Sequence, residues 1–91
     1  MKLVLGAEHD EALRARLLDV VHSLGATAIG PAKRAMAGSQ ELLELDVSID
    51  GQSLRIAAET YMGLSICGPD HLVRRVRDLV LGPSPSGAAS R

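Results

Sequence analysis

ELLELDVSIDGQSLRIAAET, residues 41–60, decides the fold. Leu43, Leu45, Val47 and Ile49 alternate with Glu44, Asp46 and Ser48, the period of a strand with one buried face. Asp50-Gly51 follows, a pair able to take the positive φ angles of a type I′ turn. The alternation then resumes, with Leu54, Ile56 and Ala58 set against Ser53, Arg55, Ala57 and Glu59. A two-residue turn places Val47 opposite Leu54, Leu45 opposite Ile56 and Leu43 opposite Ala58, so the apolar phases of both strands share a face. On the other face Asp46 meets Arg55 and Ser48 meets Ser53. A slip of one residue would set every apolar side chain against a polar one, so the register is strongly specified.

A hairpin with one apolar and one polar face belongs to an antiparallel or mixed sheet covered on one side. The expected fold class is therefore α+β: a two-layer sandwich with two helices on one face of a small sheet. Working outward, Lys2 to Leu5 reads as a strand ending at Gly6. Leu13, Leu17, Val20, Val21 and Leu24 form one face of a helix, with acids Glu8, Asp10 and Glu11 before it and Gly25 after it. Thr27 to Ile29 is a candidate short strand. Residues 30–40 read as loop with a possible helical turn at 32–37. Downstream, Leu64 and Ile66 keep the phase of Leu54 and Ile56, which favours one long strand bent at Gly63 over a wider loop and a separate strand. Gly68-Pro69 opens a second helix, with Pro69 at its first position and a stripe of Leu72, Val73, Val76, Leu79 and Val80. Its outer face carries Arg74, Arg75 and Arg77. The order is strand, helix, optional strand, two strands, optional strand, helix. Residues 1–82 form a single α+β domain, and 83–91, rich in Pro, Ser, Gly and Ala, are expected to be a disordered tail.

The chain has 91 residues, one aromatic (Tyr61), one cysteine (Cys67) and a formal charge of −1. A chain this short buries roughly 60–65% of its unfolded surface, and an aliphatic core without Phe or Trp gains less area per residue than an aromatic one. The charge supplies no basic field for nucleic acid or an acidic membrane. A lone cysteine points to a reducing compartment, and no signal sequence or membrane span is visible, so a cytoplasmic location is expected. Eight arginines to two lysines, with abundant Ala, Gly and Leu, suggest a GC-rich bacterial source.

Two groups of residues stand out as candidate sites. The first is Tyr61 with Glu59, Arg55 and Leu42: a lone aromatic beside a sheet face whose polar pattern is interrupted by Leu42 and Ala57. The second is Cys67, Gly68 and His71 at the start of the second helix, where free N–H groups favour a thiolate or another anion. The ordinary readings are a solvated sheet face and a buried thiol beside a solvated histidine. No orienting or oxyanion motif accompanies the cysteine, so no catalytic residues are assigned and the chain is read as a non-enzyme; the alternative is a small enzyme or anion-binding domain with Cys67 as nucleophile and His71 as its base. His9, His22, His71 and Cys67 lack metal-ligand spacing, and no metal or cofactor is expected. The basic spots Lys33-Arg34 and Arg74, Arg75, Arg77 lack the aromatics that stack bases, so nucleic acid is not the expected partner. What remains is a protein–protein interaction module of unknown process. Its partner is another protein or a second copy, joined through a sheet edge at Thr27–Ile29 or Leu64–Cys67.

Overall fold

The computed structural model describes residues 1–82, and the expected tail at 83–91 lies outside the described residues. Strands β1 (Lys2–Gly6), β2 (Thr27–Ala28), β3 (Lys33–Ala37), β4 (Gln40–Ile49), β5 (Gln52–Glu59) and β6 (Gly63–Cys67) form one antiparallel sheet. Helices α1 (Glu11–Ser23) and α2 (Asp70–Leu81) pack on one of its faces. The strand order is β1-β6-β5-β4-β2, and β3 also pairs with β4, beside β2 on the same outer edge. The α+β two-layer arrangement expected from the alternation is the one found.

The central hairpin takes the expected register at every position, from Ile49↔Gln52 at the turn to Leu42↔Glu59 at the far end. Asp50 and Gly51 have φ of 53° and 79°, both positive as a type I′ turn requires. The apolar phase is buried as a block. Val47, Ile49, Leu54, Ile56, Leu64 and Ile66 meet Leu17 and Val21 of α1 and Leu72, Val73, Val76 and Val80 of α2. Each fully buried aliphatic side chain contributes about 1.5–3 kcal/mol, so this block carries the fold. Asp10 caps α1, its Oδ1 accepting the Leu13 N–H at 3.0 Å. Pro69 lies one position outside α2 rather than at its first residue.

Four further expectations need correction. Residues 33–37 are a strand, joined to β4 by a two-residue turn, rather than loop or helical turn. Residues 63–67 are a separate strand rather than a bent continuation of β5. The loop Thr60-Tyr61-Met62 reverses the chain and pairs Ala58 with Leu64 and Ile56 with Ile66. A three-residue reversal preserves the buried phase, and Tyr61 enables it by adopting a φ of 70°. Because β6 lies between β5 and β1, Leu64–Cys67 is interior, and the free edges are β1 on one side and β2 with β3 on the other. Leu79 is exposed, because Val76 and Val80 already fill the seam under α2.

At Gly63 the β1 backbone lies close against β6. Its φ is 98°, and a Cβ there would sit 2.5 Å from the Gly6 carbonyl oxygen. Gly51 also has a positive φ, 79°, but no atom lies within 4 Å of its missing Cβ. Gly63→Ala is therefore expected to cost about 2–4 kcal/mol from strain plus a backbone clash, and Gly51→Ala about 1–2 kcal/mol from strain alone. Urea unfolding of the two variants checks the order; equal losses would remove the close approach at Gly63.

Candidate functional site

The helix layer ends before the sheet does. Along β4 the apolar residues pass from buried at Ile49 and Val47 to half-buried at Leu45 and Leu43. In β3, beyond them, Lys33 to Met36 are all exposed. The result is a groove of roughly 170 Å³ on the helix side, between α1 and the sheet. Leu18 and Arg14 of α1 form one wall, Leu43, Leu45, Ile56, Ala58 and Leu64 the floor, and Ala32 and Glu44 complete the lining. Leu18 is 41% exposed although it is apolar and lies beside the core. Arg14 holds its guanidinium at the mouth by donating from Nη2 to the Glu8 carbonyl at 2.7 Å. Among the described residues it has no carboxylate partner within ion-pair distance. Arg34 and Glu41 form an ion pair farther out, with exposed Met36 next to them.

The opposite face of the sheet carries the expected polar set. Arg55 donates from Nε to Asp46 Oδ1 at 2.9 Å and lies 3.7 Å from a Glu44 oxygen. The Arg55 guanidinium holds the Asp46 carboxyl below the usual carboxylate range, and the Asp46 carboxylate raises the guanidinium in return. Leu42 and Glu59 are directly opposite one another and share a shallow depression of roughly 190 Å³ with Ala35 and Gln40. Tyr61 is not on this face. It sits at the tip of the β5–β6 loop, 77% exposed, and its N–H reaches Glu8 Oε1 at 3.4 Å. That N–H also holds the Glu8 carboxyl below its ordinary range. Arg55, Leu42 and Glu59 thus line one surface, and Tyr61 projects from its end.

The Cys67–Gly68–His71 group is not brought together. Cys67 is exposed on the open face beside Arg55, Ser53 and Ile29. His71 lies on the helix side, its Nε2 3.1 Å from Gln52 Oε1. The sheet stands between thiol and imidazole, so one cannot deprotonate the other. The Gly68 N–H is taken by the Met1 carbonyl at 3.0 Å, and Asp70 places a carboxylate in the first turn of α2. Both features work against an anion at that helix end. Among the described residues no three His, Cys, Asp or Glu side chains gather as a metal site would require. No helix among them is long and apolar enough to cross a membrane.

The groove escaped the sequence pattern because each of its residues reads as ordinary core. Only the number of strands compared with helices could have shown it, and β3 was hidden. Comparison with protein-family models, curated proteins and solved structures finds no match, so no activity or partner is transferred to this chain.

The Asp46–Arg55 pair yields a pH test. Asp46 has a folded pKa below its unfolded value of about 3.9, so its stabilisation is present above that value and lost as pH falls through the folded pKa. Asp46→Asn is expected to be less stable than the parent at neutral pH, with the difference shrinking below about pH 4. Urea unfolding at neutral pH and near pH 2.5 measures this; a pH-independent gap would contradict it.

Proposed function

We propose that the chain is a protein–protein interaction module that receives its partner in the groove beneath Leu18. The observation that carries this reading is an apolar groove in which exposed Leu18 and half-buried Leu43 and Leu45 lie over the buried Ile56, Ala58 and Leu64. Exposed apolar surface at a concave site, rimmed by charge, is the usual form of an interaction site. The rim also selects. Arg14 offers a cation without a carboxylate partner, whereas the Glu44 carboxylate is turned to Arg55, so the complementary segment presents an aliphatic or aromatic side chain next to an Asp or Glu. The groove is too small for a folded domain and suits one or two side chains projecting from a partner's surface.

A photo-crosslinking residue at position 18, introduced in the source cell, tests this directly. The expected product is a discrete adduct, of two chains' mass if the partner is a second copy and of one chain plus the partner's mass otherwise, absent when the same residue replaces Arg74 on the outer face of α2. Arg14→Glu is expected to weaken the adduct by at least tenfold while leaving the circular dichroism unchanged. Labelling at 18 and 74 that is equally diffuse, or an adduct indifferent to Arg14→Glu, would contradict the groove reading.

A further inference from the structure

We infer that β3 is a self-association edge, and that two copies of this chain join there antiparallel about Ala35 into one continuous sheet. The inference rests on reading the uncovered flank of the sheet as an interaction surface, but it uses backbone groups rather than the groove. The Glu41 N–H donates to Thr60 Oγ1 at 2.9 Å, and the Glu41 carbonyl accepts the Thr60 N–H at 2.9 Å. Both Glu41 groups therefore point toward β5. In an antiparallel ladder, a residue that bonds one neighbour turns away from the other. Met36, opposite Glu41, consequently sends its own N–H and C=O outward, and so does Arg34 two residues earlier. Ala35, opposite Leu42, bonds inward. The Ile29 N–H to Asp46 carbonyl bond of 2.8 Å shows the same parity from the other side, since even-numbered residues of β4 face this edge.

Each copy thus offers two donors and two acceptors, on Arg34 and Met36. Centring on Ala35 sets Arg34 of each copy against Met36 of the other, and all eight groups are satisfied in four reciprocal bonds. Centring on Arg34 would oppose two guanidinium side chains directly, and centring on Met36 would run Arg34 into the Gly38 turn. Like charges opposite one another are destabilising, so the Ala35 register is selected. Ala35 then meets its symmetry mate at the close spacing of a pair without hydrogen bonds, about 4.5 Å between Cα atoms, which its small side chain allows. The two Leu42 side chains flank that contact, giving an apolar row across the junction on the open face. Arg34 enters the interface with its charge met by Glu41. The opposite edge is less suited, because β1 breaks register between Val4 and Gly6. Two-fold pairing closes the β3 edge and stops at a dimer. A strand pair this short lies at the small end of interfaces, so micromolar rather than nanomolar association is expected.

Sedimentation velocity across roughly 1–500 µM, the range such an interface calls for, is expected to show a shift from one chain to two. Met36→Pro removes an outward N–H that the monomer does not use, so it leaves the monomer's circular dichroism intact and weakens the dimer by roughly thirtyfold. Ala35→Cys in a Cys67→Ser background is expected to form an intermolecular disulfide under mild oxidation. A parent that remains monomeric, a dimer unaffected by Met36→Pro, or a dimer in which Ala35→Cys fails to cross-link would each overturn the pairing. If the pairing fails while the adduct from position 18 still forms, the groove reading stands alone.

Discussion

The register of β4 against β5 is the constraint on which the rest of the structure depends. Asp50-Gly51 sets it at one end, Asp46 and Arg55 reinforce it midway, and it aligns the apolar phases over the whole length of the hairpin. Everything that packs uses that alignment. The β6 strand extends it because the loop at 60–62 restores Leu64 and Ile66 to the same phase, and both helices then have a continuous aliphatic floor. Shifting the pairing by one residue would turn the floor polar and leave α1 and α2 nothing to cover.

The same hairpin explains why part of the sheet stays bare. Two packed helices, each about 10 Å across, cover about four strands spaced near 4.8 Å. The sheet has a fifth position, occupied by β2 and β3 in turn along the ten residues of β4. No third helix exists among the described residues to cover it. An exposed flank is thus a consequence of element count. Its composition is not arbitrary, since it combines half-buried Leu43 and Leu45, an uncompensated Arg14 and a strand edge whose charged residues have carboxylate neighbours.

Much of this was readable in the residues, for physical reasons. Strict alternation and an Asp-Gly turn specify β4 and β5 residue by residue, and periodicity with Gly stops specifies both helices. β3 was hidden because Lys33, Arg34, Ala35 and Met36 are poor strand formers and, with both faces wet, show no alternation. The Gly38-Ser39 pair between two short segments was its one turn signal. The β5–β6 reversal was obscured because it relies on a tyrosine at positive φ, a rare choice that composition does not announce. Candidate sites were less readable than the fold. Leu42, Arg55 and Glu59 do share a face, as alternation requires. Cys67 and His71 are four apart in sequence, yet the strand end and the helix start send them to opposite sides of the sheet.

The pairing of two copies depends on the outer edge of β3, and residue-resolved amide exchange reads that edge directly. In dilute solution the expected pattern is alternation, with a protected Ala35 amide between rapidly exchanging Arg34 and Met36 amides. On raising the concentration, Arg34 and Met36 gain protection while Ala35 is already slow. Amides of Arg34 and Met36 that remain fast at every concentration would contradict an edge that pairs, and a fast Ala35 would contradict the β3–β4 ladder itself.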